Sequence, residues 1–221
     1  MTAPVAPWAL TGESIVALAR CRSSPGVVPR GLTRAPGPAL IVANRYTDSP
    51  VGPYLELAVG CPAWLGVRPG WCFTTMVVDN PAARLGGKLN WGYPKELGRL
   101  AWTHDGDERE LRWLDRDICV RGVPHRFVLP MLVPMRSLQR RSDGPVVVPG
   151  RLRGRARLAR VTVYAPRDDE LAAVAGRHHG LHIAGLKFVL RPARRPVGLA
   201  STLLAPLRAP EPALSWSAPG D

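Results

Sequence analysis

Short apolar runs separated by turns rich in proline and glycine recur along the 221-residue chain. Apolar and polar residues alternate within several runs, which is typical of strands in a half-buried sheet. Residues 25–38 are predicted to form a loop and residues 48–53 a turn, because both are rich in Pro and Gly. The pattern predicts a mainly β protein, a barrel or a sandwich. The predicted strands cover residues 14–20, 39–46, 54–60, 73–78, 111–120, 157–164 and 182–191.

One helix is predicted, directly after Pro166. The acidic residues 168–170 would occupy its first turn, where negative charge is favourable, and Leu171 and Val174 would follow on its apolar face. Gly176 is a candidate for its end. A single helix among many strands keeps the prediction in the mainly β class.

Composition indicates one folded domain, since 46% of the residues are hydrophobic and 21% are charged. We expect this domain to span residues 1–198, followed by a mobile tail at residues 199–221. No apolar run reaches the ~18 residues of a membrane span, and the first residues do not resemble a secretory signal. The four cysteines form no CxxC pair, so we expect free thiols in a cytoplasmic protein.

The net charge of +13 raises the possibility of a nucleic-acid partner. The densest basic segment lies at residues 151–160, where arginines alternate with Leu152, Ala156 and Leu158. Such alternation places the arginines on one solvated face of a strand. The sequence therefore predicts neither a nucleic-acid nor a membrane partner.

Lysine is rare in this chain, which has only Lys88, Lys95 and Lys187. Lys95 closes the segment Asn90-Trp91-Gly92-Tyr93-Pro94-Lys95, among aromatic residues. A desolvated lysine amine can lose its proton near neutral pH and attack a carbonyl, which an arginine cannot do. Lys95 is therefore a candidate nucleophile, although a lysine after Tyr-Pro is also common as a solvated loop residue.

Three segments resemble the acetoacetate decarboxylase superfamily: residues 46–56 with Tyr54-Leu55-Glu56, residues 78–80, and residues 87–95 ending in Tyr93-Pro94-Lys95. The strong similarity covers residues 44–100, and weaker similarity extends to about residue 192. The resemblance implies a curved, largely antiparallel β-barrel or cone with the lysine inside. It also implies a lyase without a cofactor, acting on a small keto or oxo acid, and a homo-oligomer.

The resemblance implies that Lys95 forms the Schiff base and that Glu56 handles protons. From the sequence alone, Glu56 could equally be a strand-end carboxylate paired with an arginine. In an extended segment Glu96 would point away from Lys95, so burial would have to favour the neutral amine. The residues predicted to line the substrate pocket are Tyr54, Trp91, Tyr93 and Leu97.

The chain departs from the family where an arginine and a second glutamate help to bind acetoacetate, because those positions hold Gly12 and Ile41. Arg20, Arg22 or Arg45 could supply a carboxylate site instead. Because the Schiff-base lysine is kept, we still expect decarboxylation of an acetoacetate-like substrate. The alternatives are aldolase-dehydratase chemistry on oxo acids with the same lysine, and a non-catalytic barrel that binds a small ligand.

Metal binding is not expected. His178, His179 and His182 would suit a metal only on a helix, and their segment is predicted to be a turn with no cysteine or carboxylate close by. The sequence also lacks the glycine-rich nucleotide loops and the GxSxG motif. Small-molecule chemistry at Lys95 remains the favoured hypothesis.

Overall fold

A computed structural model describes residues 3–21 and 26–196. These residues form eleven strands, one α-helix and one short 3₁₀-helix. The helices are α1 (Pro81–Trp91) and the 3₁₀-helix Glu170–Val174. The strands are β1 (Trp8–Ala19), β2 (Thr33–Arg34), β3 (Ala39–Asp48), β4 (Tyr54–Leu65), β5 (Arg68–Val78), β6 (Lys95–Leu97), β7 (Leu100–Asp105), β8 (Glu108–Trp113), β9 (Ile118–Arg141), β10 (Gly144–Tyr164) and β11 (Gly176–Leu190).

All eleven strands belong to one sheet, in the order β6-β5-β4-β3-β1-β11-β10-β9-β8-β7, with β2 paired to β4. Neighbours are antiparallel except β5 and β6. A parallel bridge between Trp71 and Ser137 also brings β9 against β5. The predicted mainly β, curved antiparallel fold is confirmed, but the sheet is not a closed barrel.

Two large apolar cores lie on the sheet, as strand alternation favours, and a third, smaller cluster holds Cys61, Leu65 and Leu138. One core contains Ile15, Ile41 and Leu57 and is covered by β7, β8 and the 3₁₀-helix. The other contains Leu10, Met76 and helix α1 residues. The curvature of the sheet encloses this second core, and the candidate site lies within it.

The local predictions differ from the structure at two places between residues 105 and 176. The predicted strand 111–120 is two strands, β8 and β9, separated by a turn at residues 114–117 in which Asp117 has φ +49°. The helix predicted after Pro166 is only the 3₁₀-helix, capped by the Asp169 side chain. Five residues are too few for stable α-helical turns to propagate there.

One other local prediction is confirmed in part. Residues 151–160 lie on β10, and Arg151, Arg153 and Arg155 are exposed. The alternation ends before Leu158, which is 62% exposed, whereas Arg157 is half-buried. The β7–β8 hairpin turns at residues 106 and 107, with Gly106 at φ +54°.

Other sequence predictions concern the cysteines, the tail and the membrane. All four cysteines are free thiols. The predicted tail at residues 199–221 lies outside the described residues. Within the described ranges, no helix has the length and apolar character needed to cross a membrane.

Candidate active site

Helix α1 places Lys95 at the start of β6. Asn80 caps the helix by accepting hydrogen bonds from the backbone N–H of Ala82 and Ala83, and Gly92 ends it in the left-handed conformation at φ +72°. The chain then reverses, and Lys95 pairs with Met76 of β5. The Lys95 side chain is only 3% exposed.

Gly87 makes room for the stem of Lys95. It is buried on α1, and a Cβ at this position would lie 2.5 Å from Cδ and 2.8 Å from Cε of Lys95. Any larger residue would therefore displace the lysine stem. Gly87 acts as a steric determinant of where the Lys95 amine lies.

Glu56 on β4 holds the Lys95 amine. The distance from Lys95 Nζ to Glu56 Oε2 is 2.7 Å, and both side chains are buried. Asn44, directly opposite Glu56 on β3, donates from Nδ2 to Glu56 Oε1 at 3.1 Å. The Tyr46 hydroxyl donates to the same oxygen at 3.4 Å. The carboxylate is thus fixed by neighbours on both oxygens.

Two opposing effects act on the Lys95–Glu56 pair. Burial penalises both charges, while the short contact stabilises them as an ion pair. Passing one proton from Nζ to the carboxylate gives a neutral amine beside a neutral acid. The carboxylate that can accept this proton lies 2.7 Å from Nζ, so the arrangement can present a nucleophilic amine.

Three buried tyrosines surround the pair. Burial raises the pKa of Tyr46 and Tyr54 well above its usual value, and the nearby Glu56 charge raises it further. Burial also raises the pKa of Tyr93, whose hydroxyl lies 2.7 Å from Ser137 Oγ. The Tyr54 ring centroid is 5.3 Å from Lys95 Nζ, within cation–π range. These phenols stay protonated at neutral pH and can act as hydrogen-bond donors.

The amine faces a cavity of about 220 Å³. Its charged lining residues are Lys95 and Glu56, and its other polar ones are Asn44, Ser137 and the three tyrosines. The remaining lining residues are Leu10, Val16, Leu40, Val42, Ala58, Trp71, Phe73, Met76, Met131, Val133, Met135, Val148, Gly150, Leu152, Leu181, Ile183, Leu186, Phe188 and Leu190.

The structure brings four of the six predicted site residues to this cavity: Lys95, Glu56, Tyr54 and Tyr93. Trp91 is fully buried but lies behind Tyr93, with ring centroids 5.9 Å apart, and does not line the cavity.

Leu97 must be corrected, because it is 46% exposed and lies outside the cavity. The three-residue β6 is the edge strand of the sheet, and its side chains turn to solvent after Lys95. Glu96 is exposed while Lys95 is buried, as predicted.

Sequence reasoning missed Asn44 and Tyr46. Both alternate on β3 and face Tyr54 and Glu56 across the turn at residues 48–53. Strand alternation on each side of a short turn was the available signal, because paired residues of antiparallel strands share a face.

The arginines suggested for binding the substrate carboxylate do not line the cavity where the structure describes them. Arg45 donates to Glu13 at 3.1 Å, Arg20 is exposed, and Arg22 lies outside the described residues. His182 also contacts Glu13, at 3.2 Å. Burial raises the pKa of Glu13, but the hydrogen bond with His182, the charge of His104 and the bond from Arg45 outweigh it and lower the pKa to about 2.

The three histidines considered for a metal lie on strand β11. In the part of the chain that the structure describes, no group of three His, Cys, Asp or Glu side chains is arranged to hold a metal ion.

The sequence matches a known family in its first half. The family model for acetoacetate decarboxylase (ADC) matches residues 21–117, a segment that includes Glu56 and Lys95. Comparison with curated protein sequences gave no match.

Several solved structures share the fold. Acetoacetate decarboxylase from Legionella pneumophila subsp. pneumophila str. Philadelphia 1 is 16% identical, with a TM-score of 0.64 and 88% of each chain covered. An acetoacetate decarboxylase-like enzyme from Sphingomonas wittichii RW1 is 14% identical, with a TM-score of 0.65, 87% of this chain and 94% of that chain covered. The enduracididine biosynthesis enzyme MppR is 15% identical, with a TM-score of 0.62 and coverages of 88% and 90%. The chain is thus similar to acetoacetate decarboxylase in sequence over residues 21–117, and it shares the fold of these solved structures.

Proposed function

We propose that this chain is a Schiff-base lyase that decarboxylates a β-keto acid through Lys95. The observation that carries the proposal is the buried contact of 2.7 Å between Lys95 Nζ and Glu56 Oε2, at the wall of a largely apolar cavity. The family match over residues 21–117 supports a related enzyme acting on oxo acids.

The first step is formation of an iminium. Glu56 takes one proton from the Lys95 ammonium, and the neutral amine attacks the substrate carbonyl carbon. Glu56 then returns a proton to the carbinolamine oxygen, which leaves as water. The product is a C=N double bond to Nζ that carries the positive charge.

The second step breaks the carbon–carbon bond. The electron pair of the bond to the carboxylate moves toward the iminium nitrogen, and carbon dioxide leaves. The resulting enamine takes a proton from water on its carbon, which restores the iminium. Addition of the remaining hydroxide to the iminium carbon then releases the ketone and the neutral Lys95 amine. Charge disappears along this path, because a carboxylate and an iminium become neutral carbon dioxide and a neutral enamine. A cavity lined mainly by apolar side chains favours such a step.

The neighbouring polar groups have supporting roles in this proposal. Asn44 and Tyr46 hydrogen-bond Glu56 Oε1 and so aim Oε2 at Lys95. Tyr54, whose raised pKa keeps it protonated, can donate to the substrate or carbinolamine oxygen.

Aldolase-dehydratase chemistry is the second candidate, since it uses the same iminium and enamine. The neighbouring structure of MppR holds the condensation product of pyruvate and imidazole 4-carboxaldehyde. In that case the Lys95 enamine would attack an aldehyde carbon, and water would leave afterwards. A condensation product without carbon dioxide release would favour this candidate.

The test is carbon dioxide release from a panel of β-keto and α-oxo acids. The Lys95→Arg variant keeps the charge but lacks a nucleophilic amine, and should lose activity entirely. Lys88→Arg is the matched control, because Lys88 is exposed on α1, and should keep full activity. Activity that survives in Lys95→Arg would contradict the proposal. Equal ligand binding by the wild type and Lys95→Ala, without turnover in either, would favour a non-catalytic binding protein.

A homo-oligomer and a cytoplasmic location stay predictions. Large apolar side chains that exceed 50% exposure on β9, such as Phe127, Leu129 and Leu132, support self-association. Sedimentation velocity measures this directly, and a single monomer species at micromolar concentration would contradict it.

A further inference from the structure

The polar lining residues of the cavity come mainly from one part of the sheet. Its polar side chains come from β3, β4 and the segment around Lys95, with Ser137 beside Tyr93. The walls from β9, β10 and β11 are otherwise apolar, with Met131 and Met135, Leu152 and Phe188 among them. A substrate bound at Lys95 would therefore extend into a hydrocarbon-like region.

No arginine reaches this cavity among the described residues. The chain has 30 lysines and arginines, and among those in residues 3–21 and 26–196 Lys95 is the one that lines the cavity. Binding a free carboxylate away from Lys95 would leave it without a cation in an apolar region, which is costly. The substrate carboxylate must therefore lie near the Lys95 nitrogen, and the rest of the molecule must be apolar.

The size of the cavity points to a substrate larger than acetoacetate. A cavity of ~150 Å³ admits benzene. By that scale, a cavity of about 220 Å³ accommodates roughly nine non-hydrogen atoms. Acetoacetate bound to the lysine would fill the space of about two or three atoms fewer. Val133 lines the cavity and is 40% exposed, so a longer chain could extend outward past β9.

We propose that the natural substrate is a β-keto acid carrying an apolar alkyl or aryl substituent larger than the methyl group of acetoacetate. This inference rests on the proposed function, since it names the substrate class of the Lys95 site. The keto carbon meets Lys95, the carboxylate stays beside the iminium that forms there, and the substituent lies against Met131, Leu152 and Phe188.

The experiment compares acetoacetate, 3-oxohexanoate and 3-oxooctanoate as substrates. Burying methylene groups in an apolar wall should raise kcat/KM by about tenfold for each two added. Leu152→Gln should reduce this preference about tenfold, because it puts an amide in the apolar wall. Leu158→Gln is the matched control on the same strand, since Leu158 is 62% exposed and outside the cavity, and should keep the full preference.

The two proposals fail in different ways. Equal kcat/KM for the three acids would overturn the substrate class while leaving the Lys95 chemistry intact. A second measurement uses the Lys95→Ala variant, which cannot form a Schiff base. A neutral fluorescent naphthylamine is bound to this variant, and its displacement by 2-octanone is compared with its displacement by acetone. If 2-octanone displaces the probe more strongly than acetone does, the apolar site is supported. If the wild type at the same time turns over no keto acid, the proposal that the protein is a lyase is overturned. Equal, weak displacement would overturn the apolar site.

Discussion

Replacing Gly87 by alanine would disturb the candidate nucleophile without touching any polar group of the site. The added Cβ would lie 2.5 Å from Lys95 Cδ, whereas ordinary contacts at Cβ begin at 3.4 Å. The lysine stem would therefore have to move by about 0.9 Å, the difference between these distances. Because Glu56 is fixed by Asn44 and Tyr46, it cannot readily follow.

The expected loss of activity exceeds the expected loss of stability. A displacement of about 1 Å in a reacting group can cost about 100-fold in rate. The methyl group costs about 1–3 kcal/mol in a packed interior, but alanine returns about 1 kcal/mol through its higher helix propensity. We expect kcat to fall by about 100-fold in Gly87→Ala, with a free energy of unfolding lowered by at most about 2 kcal/mol.

Gly86→Ala is the matched control. Gly86 is the adjacent buried helical glycine, and a Cβ there would clash with the Trp8 ring, which does not line the cavity. Its stability should fall by a similar amount while kcat stays near that of the wild type. Urea unfolding and steady-state decarboxylation measure both quantities. Full activity in a folded Gly87→Ala variant would refute the positioning argument, and equal losses in both variants would indicate general packing damage instead.

Two further predictions concern buried charges. Lys95→Met and Glu56→Gln each leave one member of the buried pair without its partner, and each should lower the free energy of unfolding by about 3–5 kcal/mol. The double variant should lose less than the sum of the two single losses, as measured by urea unfolding. Strictly additive losses would contradict the coupling. The Glu13 pKa of about 2 lies below its usual 4.5, so Glu13 stabilises the fold above about pH 4.5, and this contribution is lost as the pH falls toward about 2. Glu13→Gln should therefore cost about 2 kcal/mol at pH 7, discounted for partial exposure, and little near pH 2. A Glu13→Gln cost that is constant with pH would count against the assignment.

Apolar runs bounded by turns rich in Pro and Gly were the most reliable guide to the fold. They located β3 to within two residues, the start of β4 and the end of β5. Alternation predicted one strand over residues 111–120, where the structure has two. Helix α1 was missed although Asn80-Pro81 and Gly92 are typical start and stop residues. Two adjacent glycines lower its helix propensity, and tertiary contacts with β5, β6 and β9 outweigh this.

The candidate site was predictable only in part, because the contacts between its residues depend on tertiary structure. Lys95 and Glu56 stand in recognisable segments, but their contact depends on how β4, β5 and β6 align, which no local pattern specifies. The pairing of Asn44 with Glu56 is likewise a matter of register. Alternation failed at Leu97 because β6 ends at the sheet edge and its last residues face solvent.

A Schiff base on Lys95 can be detected by mass spectrometry after reduction. The wild-type protein would be incubated with 3-oxooctanoate or acetoacetate, reduced with borohydride, and mapped by peptide mass spectrometry. Reduction fixes the imine as a stable secondary amine. We expect one adduct, on Lys95 and on neither Lys88 nor Lys187, with a mass showing that carbon dioxide has left. An adduct on another lysine, or none in a folded protein that binds the acid, would contradict this expectation.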